Sequence, residues 1–140
     1  MQTNFQTTYK TTLKAPVEKV WQALTDAAMV KQYFFGTDLD TDWKPGSPIY
    51  FRGQYEGKMY EDKGIVQDYV PNQRLSYSYL SSWNNLEDKD ENYLLITYEV
   101  KPVEGGTELR VTQSNYDQER ADHSDSNWQM VVDGLRKLVE

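Results

Sequence analysis

The chain has 140 residues, the size of one domain, and carries a net charge of −7. On average its surface therefore repels phosphate backbones and anionic lipid, which argues against a nucleic-acid partner. It contains no cysteine, which excludes disulfides, thiol nucleophiles and thiolate metal ligands.

No segment approaches the roughly eighteen consecutive apolar residues that a membrane-spanning helix needs. The first residues, MQTNFQTTYK, lack the basic start and apolar middle of a signal peptide. The sequence also has no internal repeat, low-complexity tract or linker that would divide it. We therefore predict a cytoplasmic protein without a membrane span, folded as a single domain over residues 1–140.

The first elements are predicted to be a strand and two short helices. Over Phe5–Leu13 the apolar residues and threonines share alternate positions, which is the period of a strand. From Pro16 the apolar residues recur at positions i, i+3, i+4 and i+7, which is the spacing of one helical face. Either Thr25 or Asp26 is predicted to cap a second helix, which Gly36 ends.

This connection between strands is rich in aromatic residues, with Trp21, Tyr33, Phe34 and Phe35 in one short stretch. An aromatic stripe at helical spacing is usually part of a core, so we expect Trp21 and Phe34 to pack inside the protein. The roles of Tyr33 and Phe35 stay open at this stage.

The middle of the chain is predicted to form an antiparallel meander. Five segments between turn sequences are predicted as strands: PIYFRGQYE, KGIVQDYV, RLSYSYLSS, YLLITYEV and TELRVTQS, and the last three alternate apolar and polar residues. The sequence EGGT at 104–107 predicts a tight turn, because glycines adopt positive φ values without strain. The last two strands are therefore expected to pair.

The C-terminal segment SDSNWQMVVDGLRKLVE predicts a long amphipathic helix that covers one face of the sheet. Its apolar residues share one helical face: Trp128, Val131, Val132, Leu135, Leu138 and Val139. The order of elements predicts an α+β helix-grip fold. In this fold a curved antiparallel sheet wraps around a long C-terminal helix, and two short helices follow strand 1.

The sequence resembles the START-like (SRPBCC) superfamily, and within it the family homologous to the C-terminal domain of Aha, the activator of a heat-shock chaperone ATPase. Four stretches carry the resemblance in order along nearly the whole chain: APVEKVWQALTD with QYFFG, PNQRLSYSY, EGGTELRVTQS, and NWQMVVDGLRKLVE. The resemblance implies a START-like domain with a cavity between the concave sheet and the last helix. Relatives in the superfamily bind lipids, hormones, polyketides or other apolar molecules there.

Tyr77, Tyr79 and Tyr98 fall on the inward face of the predicted strands, where each hydroxyl needs a partner. An apolar wall with a few polar groups is typical of a small-molecule site, whereas leucine or phenylalanine would fill a plain core. A lined cavity and a packed core both stay open from the sequence. The predicted cavity residues are Tyr33, Phe35, Trp43, Phe51, Met59, Tyr77, Tyr79, Trp83, Tyr98 and Trp128.

No catalytic site, cofactor or metal site is predicted. His123 lies beside Asp122 and Ser124, but a nucleophilic triad brings its members from separated positions, so we expect a solvated or capping histidine. The segment DLDTDW has alternate aspartates, but Trp43 and Ile49 stand where a calcium loop needs glycine and glutamate. We predict a solvated strand edge there instead.

Two carboxylates in predicted strands are candidates for a buried general base. Glu99 falls on the outward face of its strand. Asp68 is ambiguous, because GIVQDYV has apolar residues at both alternations, a pattern that indicates a bulge.

Three functions are consistent with these observations. The first is binding of a hydrophobic small molecule between the sheet and the last helix. The second, which the resemblance alone implies, is a co-chaperone-like module with a chaperone ATPase as its partner. The third is a cyclase or hydrolase acting on an apolar substrate. We favour the first, so the chain is expected to bind a ligand rather than to catalyse a reaction.

Overall fold

A computed structural model describes residues 5–34, 36–55, 57–80, 87–89, 92–115 and 118–140. The helices and strands in these ranges are β1 (Phe5–Leu13), α1 (Val17–Thr25), α2 (Ala27–Tyr33), β2 (Asp38–Asp40), β3 (Pro48–Tyr55), β4 (Lys58–Val70), β5 (Arg74–Tyr79), β6 (Leu94–Val103), β7 (Gly106–Asn115) and α3 (Gln118–Val139).

Within the described ranges, seven strands form one sheet in the order β1-β7-β6-β5-β4-β3-β2. Neighbouring strands are antiparallel throughout this order. Two short helices follow β1, and the long α3 closes the chain. This arrangement confirms the predicted α+β helix-grip fold.

The turn predicted from EGGT joins β6 to β7, and the two strands pair from Val103 and Gly106 onward. Gly105 and Gly106 have φ values of +85° and +153°, which glycine adopts without the steric cost that a Cβ brings. A Cβ on Gly106 would also lie 2.0 Å from the carbonyl oxygen of Leu13. The close approach of β1 to this turn therefore requires a glycine.

The core lies between the concave face of the sheet and α3. Leu75, Leu109 and Val111 point from the strands toward this face and are almost completely buried. Leu135 and Val139 of α3 are buried in the same cluster. The sheet and α3 pack together because each has one apolar face, and packing removes both faces from water.

Two elements begin earlier than the sequence predicts. The last helix starts at Gln118 rather than Ser124, and Thr7 donates a hydrogen bond of 2.8 Å to the carbonyl oxygen of Ala121 in its added turns. Contact with β1 thus extends the helix beyond its clear apolar stripe. β4 starts at Lys58 rather than Lys63, because backbone pairing with β3 does not depend on the side-chain alternation.

The irregularity predicted around Asp68 is present. The register of β4 against β5 shifts between Val66 and Asp68, as in a β-bulge. The short β2 was not predicted as a full element, although the strand edge predicted for DLDTDW matches it. Its burial alternates, with Leu39 buried and Asp38 and Asp40 exposed.

Candidate functional site

The two short helices bring aromatic residues over one end of the concave sheet. The Asp26 carboxylate caps α2 by accepting a hydrogen bond of 2.9 Å from the backbone N–H of Ala28. At the end of α2, the Tyr33 hydroxyl donates a hydrogen bond of 2.7 Å to the carbonyl oxygen of Ala23 in α1. The helix pair is therefore fixed with Phe34 facing the sheet and α3.

A cleft lies between these helices and the sheet. It encloses about 240 Å³ of space, part of which is open to solvent at its mouth. Its free interior is no larger than one water molecule, because side chains fill most of it. The residues that line it are Leu24, Val30, Tyr33, Phe34, Leu39, Trp43, Phe51, Tyr77 and Tyr98.

Aromatic rings in contact form the walls of the cleft. The ring centroid of Phe51 lies 5.4 Å from that of Tyr77 and 6.0 Å from that of Phe34. Trp128 from α3 continues the wall, with its centroid 5.7 Å from Tyr98 and 6.4 Å from Phe34. These separations are those of favourable aromatic pairs, so the wall is apolar and well packed.

Three tyrosines line this apolar interior: Tyr33, Tyr77 and Tyr98. The Tyr77 and Tyr98 oxygens are 3.5 Å apart, longer than the usual 2.7–2.8 Å of a hydroxyl pair. Burial raises the pKa of Tyr98 to about 12. The pKa values of Tyr33 and Tyr77 are both raised well above the usual value. Burial is the larger cause, and the neighbouring Tyr98 is the next. All three groups are therefore neutral hydrogen-bond donors at physiological pH.

We expect the free energy of unfolding to fall steeply between pH 10 and pH 12. Because the folded-state pKa of Tyr98 is raised to about 12, its stabilising effect is complete below the unfolded pKa and is lost as the pH rises through the folded one. Two pKa units correspond to about 3 kcal/mol. Urea unfolding at pH 9, 10, 11 and 12 measures the loss, and phenolate absorbance reports the ionisation.

Tyr98→Phe is the control for this pH dependence, because it removes the titrating hydroxyl and keeps the ring. The variant is expected to lose less stability than the wild type over the same pH range. An equal loss in both proteins would contradict the assignment to Tyr98.

The indole N–H groups around the cleft bond to protein atoms. Trp128 Nε1 donates to Gln113 Oε1 at 2.7 Å, and Trp43 Nε1 donates to the carbonyl oxygen of Thr25 at 3.0 Å. Trp43 therefore presents ring surface to the cleft, and Trp128 packs behind the lining residues Tyr98 and Phe34. Trp43 also has a φ of +61°, a left-handed conformation that is uncommon for residues other than glycine and costs energy.

A buried carboxylate lies next to this aromatic wall. Asp62 of β4 is only 5% exposed and accepts a hydrogen bond of 2.5 Å from the Tyr79 hydroxyl. That length is typical of a hydroxyl donating to a carboxylate. Asp62 pairs across the sheet with Phe51, so the carboxylate lies beside a ring that lines the cleft.

Asp62 was not predicted from the sequence. Its signal was the alternation of KMYEDKGIV, since the even-numbered Asp62, Gly64 and Val66 are all buried and share one face of β4. The lining residues Leu24, Val30 and Leu39 were also not predicted. They are ordinary apolar residues, and only the packing of α1, α2 and β2 places them at the cleft.

Most of the predicted cavity residues come together. Five line the cleft: Tyr33, Trp43, Phe51, Tyr77 and Tyr98. Tyr79 and Trp128 contact the cleft-lining rings of Phe51 and Tyr98. Phe35 and Trp83 lie outside the described residues, so their predicted roles stay predictions.

The prediction that Met59 lines the cavity is wrong. Its side chain is 76% exposed near the β3–β4 turn, because the inward positions of β4 are taken by its even-numbered residues. Trp21 is buried and Phe34 packs against the core, which confirms their predicted core positions.

Neither carboxylate considered as a general base lies in the cleft. Glu99 is exposed, as its predicted outward position requires. Asp68 accepts a 2.5 Å hydrogen bond from Arg74 Nε in a surface ion pair. Among the described residues, no group of three or more histidine or acidic side chains is arranged to hold a metal ion.

The sheet, the two short helices over one end and the long C-terminal helix define a START-like helix-grip domain with an aromatic cleft. The chain belongs to the family described as activator of Hsp90 ATPase homolog 1-like protein, whose model matches residues 14–140. This confirms the resemblance found in the sequence. Among curated proteins, no significant match was found.

Solved structures agree with this assignment. ChR145 from Cytophaga hutchinsonii is 37% identical over 99% of this chain and 95% of its own, with a TM-score of 0.85. The Aha1 dimer from Colwellia psychrerythraea is 21% identical over 96% of each chain, with a TM-score of 0.74. MLL2253 from Mesorhizobium loti is 21% identical over 95% of each chain, with a TM-score of 0.76.

Among the described residues, no helix is both long and apolar enough to cross a bilayer.

Proposed function

We propose that this domain binds a small apolar or aromatic molecule in the cleft between the sheet, the short helices and α3. The ligand carries an oxygen atom that accepts hydrogen bonds from the tyrosine hydroxyls. The observation that supports the proposal most directly is the pair of buried hydroxyls of Tyr77 and Tyr98, 3.5 Å apart in an otherwise apolar wall.

The hydroxyls of Tyr77 and Tyr98 can make shorter hydrogen bonds to a ligand oxygen than the one they make to each other. At 3.5 Å the Tyr77–Tyr98 hydrogen bond is weak, and each buried hydroxyl gains by a shorter one. A carbonyl or carboxyl oxygen between the two rings would accept from both. An apolar cleft with a few convergent polar groups is the usual form of a small-molecule site.

Entry of such a ligand requires the cleft to widen, because its free interior is only the size of a water molecule. We expect the seven-residue α2 to shift, since Val30 is its one buried residue, and this shift would break the hydrogen bond from Tyr33 to Ala23. Phe34, directly after α2, would move with it and open the space between Phe51 and Trp128.

The proposal is tested first by native mass spectrometry of freshly purified protein and by thermal-shift screening of fatty acids, sterols and flavonoids. A ligand bound only by the folded state raises the melting temperature. The strongest hit is then titrated against Tyr98→Phe. We expect this variant to bind at least about tenfold more weakly, since it loses a buried donor to the ligand.

Tyr50→Phe is the matched control for this titration. Tyr50 lies on β3 beside Arg52, whose guanidinium carbon is 4.4 Å from the ring centroid, away from the cleft-lining residues. The affinity of Tyr50→Phe for the same ligand should equal that of the wild-type protein. The proposal fails if no compound binds and if Tyr77→Leu and Tyr98→Phe both raise the melting temperature, because the hydroxyls would then only weaken a packed core.

The co-chaperone alternative has its support in the family's name. A protein-interaction surface normally contains a contiguous apolar patch. Among the described residues the large exposed apolar side chains do not form one patch: Met59, Ile65 and Leu95 lie on the outer face of the sheet, and Met130 lies on α3 on the other side. We therefore prefer the ligand-binding function.

A further inference from the structure

We propose that the cleft selects its ligand by charge: it binds a neutral carbonyl compound, either a ketone or a protonated carboxylic acid, and excludes the corresponding carboxylate. The inference rests on the proposed function and specifies the class of its ligand. A carboxylic acid therefore enters the cleft only with its proton, whereas a ketone binds at any physiological pH.

The side chains that line the cleft carry no charge at neutral pH. Among these lining residues the polar groups are the indole N–H of Trp43 and the hydroxyls of Tyr33, Tyr77 and Tyr98. The groups of Trp43 and Tyr33 both donate to carbonyl oxygens of α1. The Tyr77–Tyr98 pair is therefore the part of the wall that offers hydrogen bonds to a ligand.

Two cations on the elements around the cleft are engaged at the surface. Lys31 of α2 forms an ion pair of 2.9 Å with Asp38. The Arg52 guanidinium of β3 bonds to Asp40 at 2.8 Å and to Glu61 at 2.7 Å. A carboxylate in the cleft would therefore lose its hydration without gaining a counter-ion from the described lining side chains.

The charge of the chain as a whole also disfavours an anion. The net charge is −7, so an anion that approaches the protein is repelled on average. The buried ionisable side chain beside the cleft residue Phe51 is Asp62, which as an acid supplies no positive charge. Neither the surface nor this neighbour offsets the cost of burying a carboxylate.

Tyr98 shows how this part of the cleft affects a negative charge on oxygen. The pKa of Tyr98 is raised to about 12 because burial opposes its phenolate, although the hydrogen bond with Tyr77 acts in the opposite direction. One hydroxyl donor thus does not compensate for the lost water. A shift of two pKa units is a factor of about one hundred in the ionisation equilibrium. A carboxylate oxygen beside the same hydroxyls meets a penalty of the same sign.

A neutral carbonyl oxygen avoids this penalty. It carries no full charge, and its two lone pairs can accept one hydrogen bond from Tyr77 and one from Tyr98, whose oxygens are 3.5 Å apart. A protonated carboxyl group presents the same carbonyl oxygen. The hydroxyl pair therefore suits both neutral forms.

The test compares three probes of nearly the same shape: acetophenone, benzoate and α-methylstyrene, in which a methylene group replaces the carbonyl oxygen. Dissociation constants are measured by two-dimensional ¹H–¹⁵N NMR titration of the wild-type protein at pH 6.5. We expect acetophenone to bind at least about tenfold more tightly than either of the others. Its shifts should centre on the amides of Tyr77, Tyr98 and Phe51.

The affinity for benzoate should rise as the pH falls. Between pH 6.5 and pH 5.5 the protonated fraction of a carboxylic acid with a pKa of about 4 increases about tenfold, so the apparent dissociation constant should fall by the same factor. Acetophenone does not titrate and is the control for changes in the protein. Its affinity should stay constant over this range.

Tyr98→Phe assigns the preference to the hydroxyl pair. In this variant acetophenone should lose its advantage over α-methylstyrene, because the carbonyl oxygen loses one of its two donors. Tyr50→Phe is the matched control and should keep the wild-type preference. Tyr77→Phe removes the other donor and provides the same test if Tyr98→Phe does not fold.

Three results would overturn the inference and leave the proposed ligand-binding function standing. They are benzoate binding as tightly as acetophenone at pH 6.5, an affinity for benzoate that does not rise at pH 5.5, and equal affinities for acetophenone and α-methylstyrene. Binding of none of the three probes would also overturn it. The compound screen and the melting temperatures of Tyr77→Leu and Tyr98→Phe decide the proposed function separately.

Discussion

Replacement of Trp128 by alanine is expected to lower the free energy of unfolding by about 3–5 kcal/mol, measured by urea denaturation. The side chain is 6% exposed and joins α3 to the aromatic wall through Tyr98 and Phe34. Its indole N–H also donates to Gln113 at 2.7 Å. The variant loses buried ring area and leaves a cavity that the surrounding rings cannot fill.

The same variant tests whether removal of the indole ring leaves a cavity of that shape. Indole added to Trp128→Ala is expected to restore part of the lost stability, because a ligand that binds only the folded state stabilises it by mass action. Leu135→Ala is the control, since it also empties a buried α3 position but leaves too small a space for an indole ring. Equal effects of indole on both variants, or a cost below about 1 kcal/mol for Trp128→Ala, would contradict the packing described.

Replacement of Gly64 by alanine is the second large effect expected, at about 3 kcal/mol or more of lost stability. A Cβ at this position would lie 1.6 Å from the carbonyl oxygen of Ser78 in the backbone next to β4. Backbone cannot rotate away as a side chain can. β4 and β5 must therefore separate near the bulge at Val66, which pairs with the cleft residue Tyr77.

Gly57→Ala is the matched control for Gly64→Ala. Gly57 has a φ of +81°, and a Cβ there meets nothing within 4 Å. Its replacement should cost only the strain of a left-handed alanine, about 1–2 kcal/mol. Comparable costs for the two variants in urea denaturation would show that crowding at Gly64 is relieved by local movement.

The strands of the sheet could be predicted because their inward positions are unambiguous. Leu75 and Tyr77 alternate with serine in β5, and Ile96 and Tyr98 alternate with polar or exposed residues in β6. All four are buried as predicted. Burial of one face of a strand imposes a period of two on its sequence, so these strands and their inward residues can be predicted from the sequence.

The cleft could be predicted only in part. Tyr77 and Tyr98 were identified because the strand alternation fixes their direction. Met59 could not be placed, because KMYED near a hairpin end has no apolar alternation from which to assign its face. Asp62 was missed because an acidic residue next to Glu61 and Lys63 in the sequence is typical of a solvated strand.

The sequence by itself determined the class of fold, the pairing of the last two strands, the covering of the sheet by the C-terminal helix and the family. The first three depend on local periods or on turn residues, which can be recognised directly in the chain, whereas the family follows from a resemblance carried by four stretches in order along the chain. Tertiary structure alone decided that the Phe51 ring contacts Tyr77 and Tyr79 and that Phe51 pairs across the sheet with the buried Asp62. That arrangement joins residues of β3, β4 and β5, and only the register between strands brings them together.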